Sequence, residues 1–594
     1  MEPNPPALPN PPDPAIEPAR SRYAFLALAL AVAALFLLGT HRYWVAADPN
    51  VDENTYLVSA KLLARTGSPG FAPPDPYHLI GPMWVGTPEG RFYPKYPLGE
   101  PLLLAAAIKA FGPAAAFLVN PLLMTLTLLG VFLLVREALG SSFAGLLAML
   151  AMAASPTLLA ETNDPDSHAS SLCFSTWGML LLLRWWRSGK LRHAALAGLL
   201  LGFSTITRYT EGLLLLPVAL VVLFRLGRRW DRPTLAGAAA LAVGWLLPVA
   251  GQVAFNLRVL HSLTGYDKTH ESTAFAPGYF AHNWGMAVRQ LFTLGLPLLL
   301  PLGVLGLLLL AFQKSPGERR LGIVLWAWAL PNVLLYISYY WTLGGVTYIR
   351  FFLTAFPPLV LGMAWLLTRP LPGGAPGWLR RWGRPAAAAL VLACGAFGVH
   401  EILPTLKSDQ QDREEAASAG ASTLPLAPAG SVLFGPQPAL LYLQYAGDYR
   451  LYSRNLFILR WIARLRNVDP TAPNALQPER AENLYKLLKG RKNVGLWRLQ
   501  RNLAADALGQ GRRVFVIAPA EEAGWTRFAA PDLDGVDQRS FELRPLASWT
   551  GWGPARPTGA ERETFDWELL EVTAGAAPAA APAPPDGDDV TDPS

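Results

Sequence analysis

The residues best equipped for chemistry stand just beyond the first apolar run. Residues 24–39 (AFLALALAVAALFLLG) are apolar, and Asp52-Glu53-Asn-Thr-Tyr56 follows soon after. Ionisable groups at a membrane are costly and tend to mark a site. A carboxylate in such a place can take a proton from a hydroxyl, because a low-dielectric boundary lifts its pKa toward neutrality. The same pair also suits helix capping, with Asp52 or Asn54 opening a helix over 55–65 and Glu53 in its first turn. A second acidic stretch, Glu161-Thr-Asn-Asp164-Pro-Asp166-Ser-His168, offers two more aspartates and an imidazole. Asp164 and His168 share a face if the following helix starts early; in the other reading Asp166 or Ser167 caps that helix. Arg350 opens a late apolar run, where a guanidinium either pairs with a phosphate or anchors the end of a span. Arg208 and Glu211, in a tight hairpin between two runs, pair with each other or reach the site. Asp267, His270 and Glu271 read as surface residues.

The elements that must hold these groups are apolar helices. The chain has 594 residues, of which 52% are hydrophobic and 16% charged, against about 25% charged in ordinary soluble domains. Runs of membrane-spanning length recur up to residue 403. The class is a polytopic α-helical membrane protein. The net charge of +7 reflects basic loops rather than a nucleic-acid surface. Cys173 and Cys394 both lie in apolar runs, and no zinc-type Cys/His spacing occurs.

Spans are expected near 24–42, 113–135, 142–160, 170–187, 194–207, 211–227, 235–257, 291–312, 321–341, 350–368 and 385–403. With about eleven spans and a cytoplasmic N-terminus, every basic cluster next to a span falls on the inner side, from Arg20 and Arg22 through Arg184, Arg187 and Lys190 to Arg380, Arg381 and Arg384. Residues 97–112 are apolar but short and carry Glu100 and Lys109. Counting them as a span would invert every later loop, so they read as an interfacial or re-entrant helix. The acidic stretches, the loop 43–112 and everything after 404 then share the outer face. The expected location is the inner (plasma) membrane.

Residues 404–572 lose the apolar runs. Short strands at 431–435 and 513–518 and helices at 438–445 and 479–488 suggest an extracytoplasmic α/β domain. The Pro-rich residues 1–20 and the Ala/Pro/Asp-rich residues 573–594 read as disordered tails.

The pattern Asp52-Glu53-x-x-Tyr56-x-x-x-Ala60 after the first span resembles the GT-C superfamily of membrane glycosyltransferases. It is similar in particular to the protein O-mannosyltransferases and the lipid A aminoarabinose transferases. The stretch Phe-Tyr-Pro-Lys95-Tyr96-Pro97-Leu98 resembles the Lys-Pro-Pro-Leu of the latter, with Tyr96 in place of the first proline. The resemblance implies that Lys95 contacts the donor phosphate; read by itself, Lys95 snorkels to lipid headgroups. It also implies that Asp52 helps to activate the acceptor, and that the second acidic loop supplies a further carboxylate. Arg350, at the head of Arg-Phe-Phe-Leu-Thr-Ala-Phe-Pro357, matches an Arg-Tyr-x-x-Pro segment.

These pieces predict an inverting transferase of GT-C type, working from a polyprenyl-phosphate sugar in the outer leaflet to a hydroxyl on a glycolipid, polysaccharide or protein. The catalytic candidates are Asp52, Glu53, Asp164 and Asp166. Lys95, Arg350 and Arg208 would neutralise the leaving phosphate. Tyr56, Tyr96 and His168 complete the candidate set. No metal ligands are assigned, although a divalent ion is compatible with the chemistry; no Asp-x-Asp motif stands in a cytoplasmic loop. A transporter or flippase of lipid-linked sugars is the competing class, and a non-catalytic scaffold the third. Transporters often show internal repeats and place charges at the midplane, whereas here the charges cluster at one face.

Overall fold

The computed structural model of the protein describes residues 19–81, 83–227, 231–266, 274–340, 344–369, 377–453, 494–520, 528–529, 539–552 and 564–575. The readings made for residues 1–18, for Asp267, His270 and Glu271, for a helix over 479–488 and for residues 576–594 lie outside these. The chain divides into two units: Met1–Ala72 with Met83–Arg413, and Pro73–Pro82 with Glu414–Ser594.

The first unit is helical. In chain order it contains α1 (Ala19–His41), α2 (Val51–Thr66), a hairpin of β1 (Trp84–Gly86) and β2 (Phe92–Pro94), α3 (Gly99–Phe111), α4 (Ala116–Leu139), α5 (Ser142–Ala153), α6 (Pro156–Glu161), α7 (Ser167–Ser188), α8 (Leu191–Thr207), α9 (Leu215–Leu226) and α10 (Arg232–Phe255). There follow α11 (Pro277–Gln290), α12 (Leu300–Ala311), α13 (Pro316–Ile337), α14 (Val346–Ile349), α15 (Phe356–Thr368) and α16 (Gly377–Thr423), whose residues up to Arg413 belong to this unit. Leucines and valines such as Leu35, Val243 and Leu247 lie exposed on the helices, as surfaces facing lipid do.

All eleven apolar segments overlap helices, but the span count is corrected. Among the described residues seven helices are long and apolar enough to cross a membrane, or eight if the pair Pro277–Gly295 and Leu300–Ala311, bent by 104°, is one span. The reasons are local. The segment expected at 142–160 breaks at Ser155-Pro156, where the Ser155 hydroxyl donates to the Gly295 carbonyl at 2.6 Å and caps α6. Helix α8 has 17 residues. Helix α7 has 22 but opens on buried Ser167, His168, Ser170 and Ser171.

Small residues set the tightest crossings, as is usual where helices pack in a membrane. On α12, Gly306 lies against the backbone carbonyl of Gly362 on α15, leaving no room for a Cβ. Gly99 opens α3 so close to α8 that a Cβ would stand 2.6 Å from the Ile206 carbonyl oxygen.

The second unit carries a five-stranded sheet in the order β4-β3-β5-β7-β6, built from β3 (Val432–Gly435), β4 (Arg450–Ser453), β5 (Val514–Pro519), β6 (Phe541–Trp552) and β7 (Thr564–Ala574), with α17 (Gln437–Ala446) and α18 (Val494–Gly509). Strand β3 runs parallel to β4 and β5, and β7 antiparallel to β5 and β6. Strands β3 and β5 read as continuous apolar runs because both faces are covered. Strand β7 continues through Ala574, paired with Phe541, so ordered chain extends into the segment expected to be tail. Residues 73–82 complete this unit. Leu79 N–H donates to the Leu451 carbonyl at 2.7 Å and Gln444 Nε2 donates to the Leu79 carbonyl at 3.2 Å, which covers the β4 edge that would otherwise be open to pairing.

Candidate active site

The site is built where α2, the 161–168 segment and the start of the α14–α15 region meet. Helix α2 begins at Val51, with Asn50 at its N-cap position. Asp52 and Glu53 therefore lie in its first turn, where the helix dipole favours negative charge; Glu53 stands where the sequence placed it, and neither Asp52 nor Asn54 is the cap. The turn after α6 delivers Asp166 as the N-cap of α7, its Oδ1 accepting from His168 N–H at 2.9 Å. Because α7 starts only at Ser167, Asp164 lies off the helix and does not share a face with His168; Asp166 takes that place, 3.7 Å from His168 Nε2. A 3-10 turn over Arg350–Ala355 presents Arg350.

Arg350 gathers the carboxylates. Its Nη2 donates to Asp52 Oδ2 at 3.0 Å, and its Nη1 lies 3.5 Å from Asp166 Oδ2 and 3.6 Å from Glu53 Oε1. Asp52 is the most open of the three, 27% exposed against 4% for Glu53 and 3% for Asp166. Its Oδ1 accepts from the Tyr96 hydroxyl at 2.9 Å. Tyr96 stacks on Tyr56 with centroids 4.9 Å apart, and the Tyr56 hydroxyl shares a 3.0 Å hydrogen bond with Ser167. Lys95 is buried, with Nζ 5.1 Å from the Tyr96 ring centroid. Arg208 Nη1 donates to His168 Nε2 at 2.9 Å and Nη2 to the Tyr336 hydroxyl at 2.8 Å. Ring nitrogen Nε2 thus accepts, which leaves the imidazole neutral, and the ring also bonds to the backbone of Arg350. Of the sequence candidates, all but Asp164 join this connected set.

Asp164 belongs to a second ionic group. It pairs with Arg413 of α16, which also lies 3.6 Å from Asp48 Oδ2. Arg413, Asp48 and Glu161 are buried and escaped the sequence reading. Arg413 stands beyond the last apolar span in a mixed-charge run, Asp48 precedes the Asp-Glu-x-x-Tyr motif, and Glu161 opens the second acidic stretch. A lone charge at the polar edge of a span was the available signal.

Too many carboxylates surround Arg350 for all to be ionised. Burial, reinforced by the neighbouring Asp48 and Asp52, pushes Glu53 well above the usual carboxylate range. Burial with Asp166 nearby does the same to Glu161. Asp166 is raised to about 6, burial outweighing Arg350. Asp48 is raised to about 7 by burial against the opposing charge of Arg413.

Glu161, Asp166 and His168 place one donor atom each within 4.8 Å of one another, an N/O set of the kind that divalent ions use. In this arrangement Arg350 already occupies Asp166 Oδ2 and Arg208 already occupies His168 Nε2. Glu161 Oε2 is buried without a hydrogen-bond partner among the described residues, and with Asp166 and His168 it offers a site for a divalent ion.

The helical core and the α/β unit that follows it make this a polytopic membrane protein with an appended mixed sheet. Residues 100–251 match the family model of dolichyl-phosphate-mannose-protein mannosyltransferases, so the resemblance read in the sequence is borne out. The fold is similar to that of ArnT from Cupriavidus metallidurans, solved bound to undecaprenyl phosphate, at 14% identity and TM-score 0.53, covering 95% of this chain and 100% of that one. It is similar also to the arabinofuranosyltransferase AftD from Mycobacteria, at 16% identity and TM-score 0.51, covering 95% of this chain and 42% of that one. No curated protein sequence matches the chain.

Proposed function

We propose that the protein transfers a sugar, with inversion, from a polyprenyl-phosphate donor to a hydroxyl acceptor at the membrane surface. The observation that carries this reading is the single guanidinium of Arg350 holding Asp52, Glu53 and Asp166 together from two distant stretches of chain. The match to a lipid-linked mannosyltransferase family over residues 100–251 and the fold shared with a protein solved bound to undecaprenyl phosphate support the donor class.

Asp52 acts as the base. It is the carboxylate substrate can reach, and each of its bonded oxygens retains a second lone pair. It takes the acceptor proton while the hydroxyl oxygen attacks the anomeric carbon. The bond from that carbon to the phosphate oxygen breaks, and polyprenyl phosphate leaves with the electron pair. Lys95 neutralises the departing charge, which removes the need for a strong general acid. Although the sequence assigned Arg350 to the phosphate, both of its Nη atoms face carboxylates, so its role here is to orient them. Arg208, tied to His168 and Tyr336, adds positive potential behind the phosphate.

The test is release of free polyprenyl phosphate by purified protein from a panel of undecaprenyl-phosphate hexoses and pentoses, with membrane extract as acceptor. Release by native protein and loss of release in Asp52→Asn is the expected result. Full turnover by Asp52→Asn would remove it from the base role, and silence of folded native protein on every donor would reject the class.

A further inference from the structure

Two guanidinium groups bridge the same two segments. Arg350 joins Asp52 and Glu53 on the first to Asp166 on the second. Arg413 joins Asp48, four residues before Asp52, to Asp164, two residues before Asp166. We propose that Arg413 is a positioning residue for the transfer reaction, clamping the 48–53 and 161–166 segments from behind so that Asp52 and Asp166 stay in register around Arg350.

The contacts have the form such a clamp requires. Arg413 and Asp48 are 3% and 1% exposed, so their attraction is little screened by solvent. Asp48 Oδ1 accepts from Asn50 N–H at 2.8 Å, and Asn50 is the N-cap residue directly before α2. A force on Asp48 is therefore transmitted to the first turn that carries Asp52 and Glu53. On the other segment, Asn120 Nδ2 bonds to the carbonyl oxygens of both Asp164 and Asp166. Asn163 Nδ2 donates to the Thr40 carbonyl at the end of α1 at 3.0 Å. The Asp164 backbone is thus tied to that of Asp166, and holding the Asp164 carboxylate holds the catalytic loop. Arg413 is suited to this because a planar fork reaches two carboxylates in fixed directions, which a lysine ammonium does not. The Tyr56–Ser167 hydrogen bond joins the same segments one turn further on but carries no charge. This proposal rests on the transferase reading, which assigns Asp52 to catalysis.

The test uses full-length protein in nanodiscs. Removing Arg413 alone strands two buried carboxylates and risks misfolding. The main variant is therefore the triple change Arg413→Met, Asp48→Asn and Asp164→Asn, which deletes the ionic group without leaving a charge unpaired. Arg413→Lys is the second variant. Hydrogen exchange should rise in both 46–54 and 161–168, while α12 and α15 keep native protection. With a donor that the native protein uses from the panel above, kcat should fall by roughly 10²-fold, the scale of a 1 Å misplacement, with the donor KM within twofold. Arg413→Lys should fall between the two proteins in both readouts. Unchanged protection in either segment, or unchanged kcat in the folded triple variant, would overturn the clamp. If native protein releases no polyprenyl phosphate, the transferase reading fails, and the exchange pattern alone decides whether Arg413 holds the two segments.

Discussion

At the residue scale the proposed mechanism turns on Asp52, which is the most exposed of the three carboxylates around Arg350 and accepts from both Arg350 and Tyr96. Asp52→Asn keeps the shape and removes the basic oxygen, so turnover should drop at least about 10²-fold, the range of a lost general base, with expression unchanged; a donor-release assay on equal amounts of folded protein reads this. Tyr96 tests how Asp52 is held. Tyr96→Phe keeps the stacking on Tyr56 and deletes the 2.9 Å hydrogen bond to Asp52. That bond holds the carboxylate in place, so its loss should lower kcat/KM by about tenfold or more, the scale of one hydrogen bond to a charged group. Unchanged kcat/KM would deny the contact a role. The fingerprint Asp-Glu-x-x-Tyr made Asp52, Glu53 and Tyr56 legible in sequence. Arg413 was not, since its meaning depends on Asp48 and Asp164, which lie hundreds of positions away and which no local spacing links to it.

At the element scale, helix α3 and the α12–α15 crossing carry the tests. Glu100 stands in the first turn of α3, fully buried, and burial with the Asp166 charge nearby raises it to about 8. Between about pH 4.5 and 8 the folded protein retains a proton there that the unfolded chain has released. Stability from this group is therefore fullest below the unfolded pKa and is lost as pH rises through the folded one. Glu100→Gln should leave the unfolding temperature near native at pH 5 and raise it by a few degrees at pH 8.5. A thiol-reactive dye can follow this, because Cys173 and Cys394 are free and buried; equal shifts at both pH values would contradict it. At the crossing, Gly362 has no room for a side chain against the Gly303 carbonyl. Gly362→Leu should cost several kcal/mol and appear as loss of monodisperse protein on gel filtration. The helical character of every apolar run was legible from length and composition. Where the runs break was not, since Ser155-Pro156 ends α5 through a contact to Gly295, more than a hundred residues away.

At the scale of the whole molecule the span count decides topology. Seven crossings place the two chain ends on opposite sides of the membrane; eight place them on the same side. With the N-terminus cytoplasmic, the basic clusters favour opposite sides, so a reporter fused after residue 594 should read as extracytoplasmic, and a cytoplasmic signal would favour the even count. By itself the sequence determined that the chain is a polytopic membrane protein, that its helices lie where the apolar runs lie, that an α/β unit follows, and which carboxylates carry a GT-C pattern. Those properties are written in composition and short spacing, which the solvent reads locally. Only the tertiary structure decided that Arg350 faces carboxylates, that Asp164 pairs with Arg413 and not with His168, that Tyr96 holds Asp52, and that residues 73–82 complete the C-terminal sheet. Each of these is a contact between segments far apart in the chain, and the energy of a buried charge is set by whichever partner the fold brings to it.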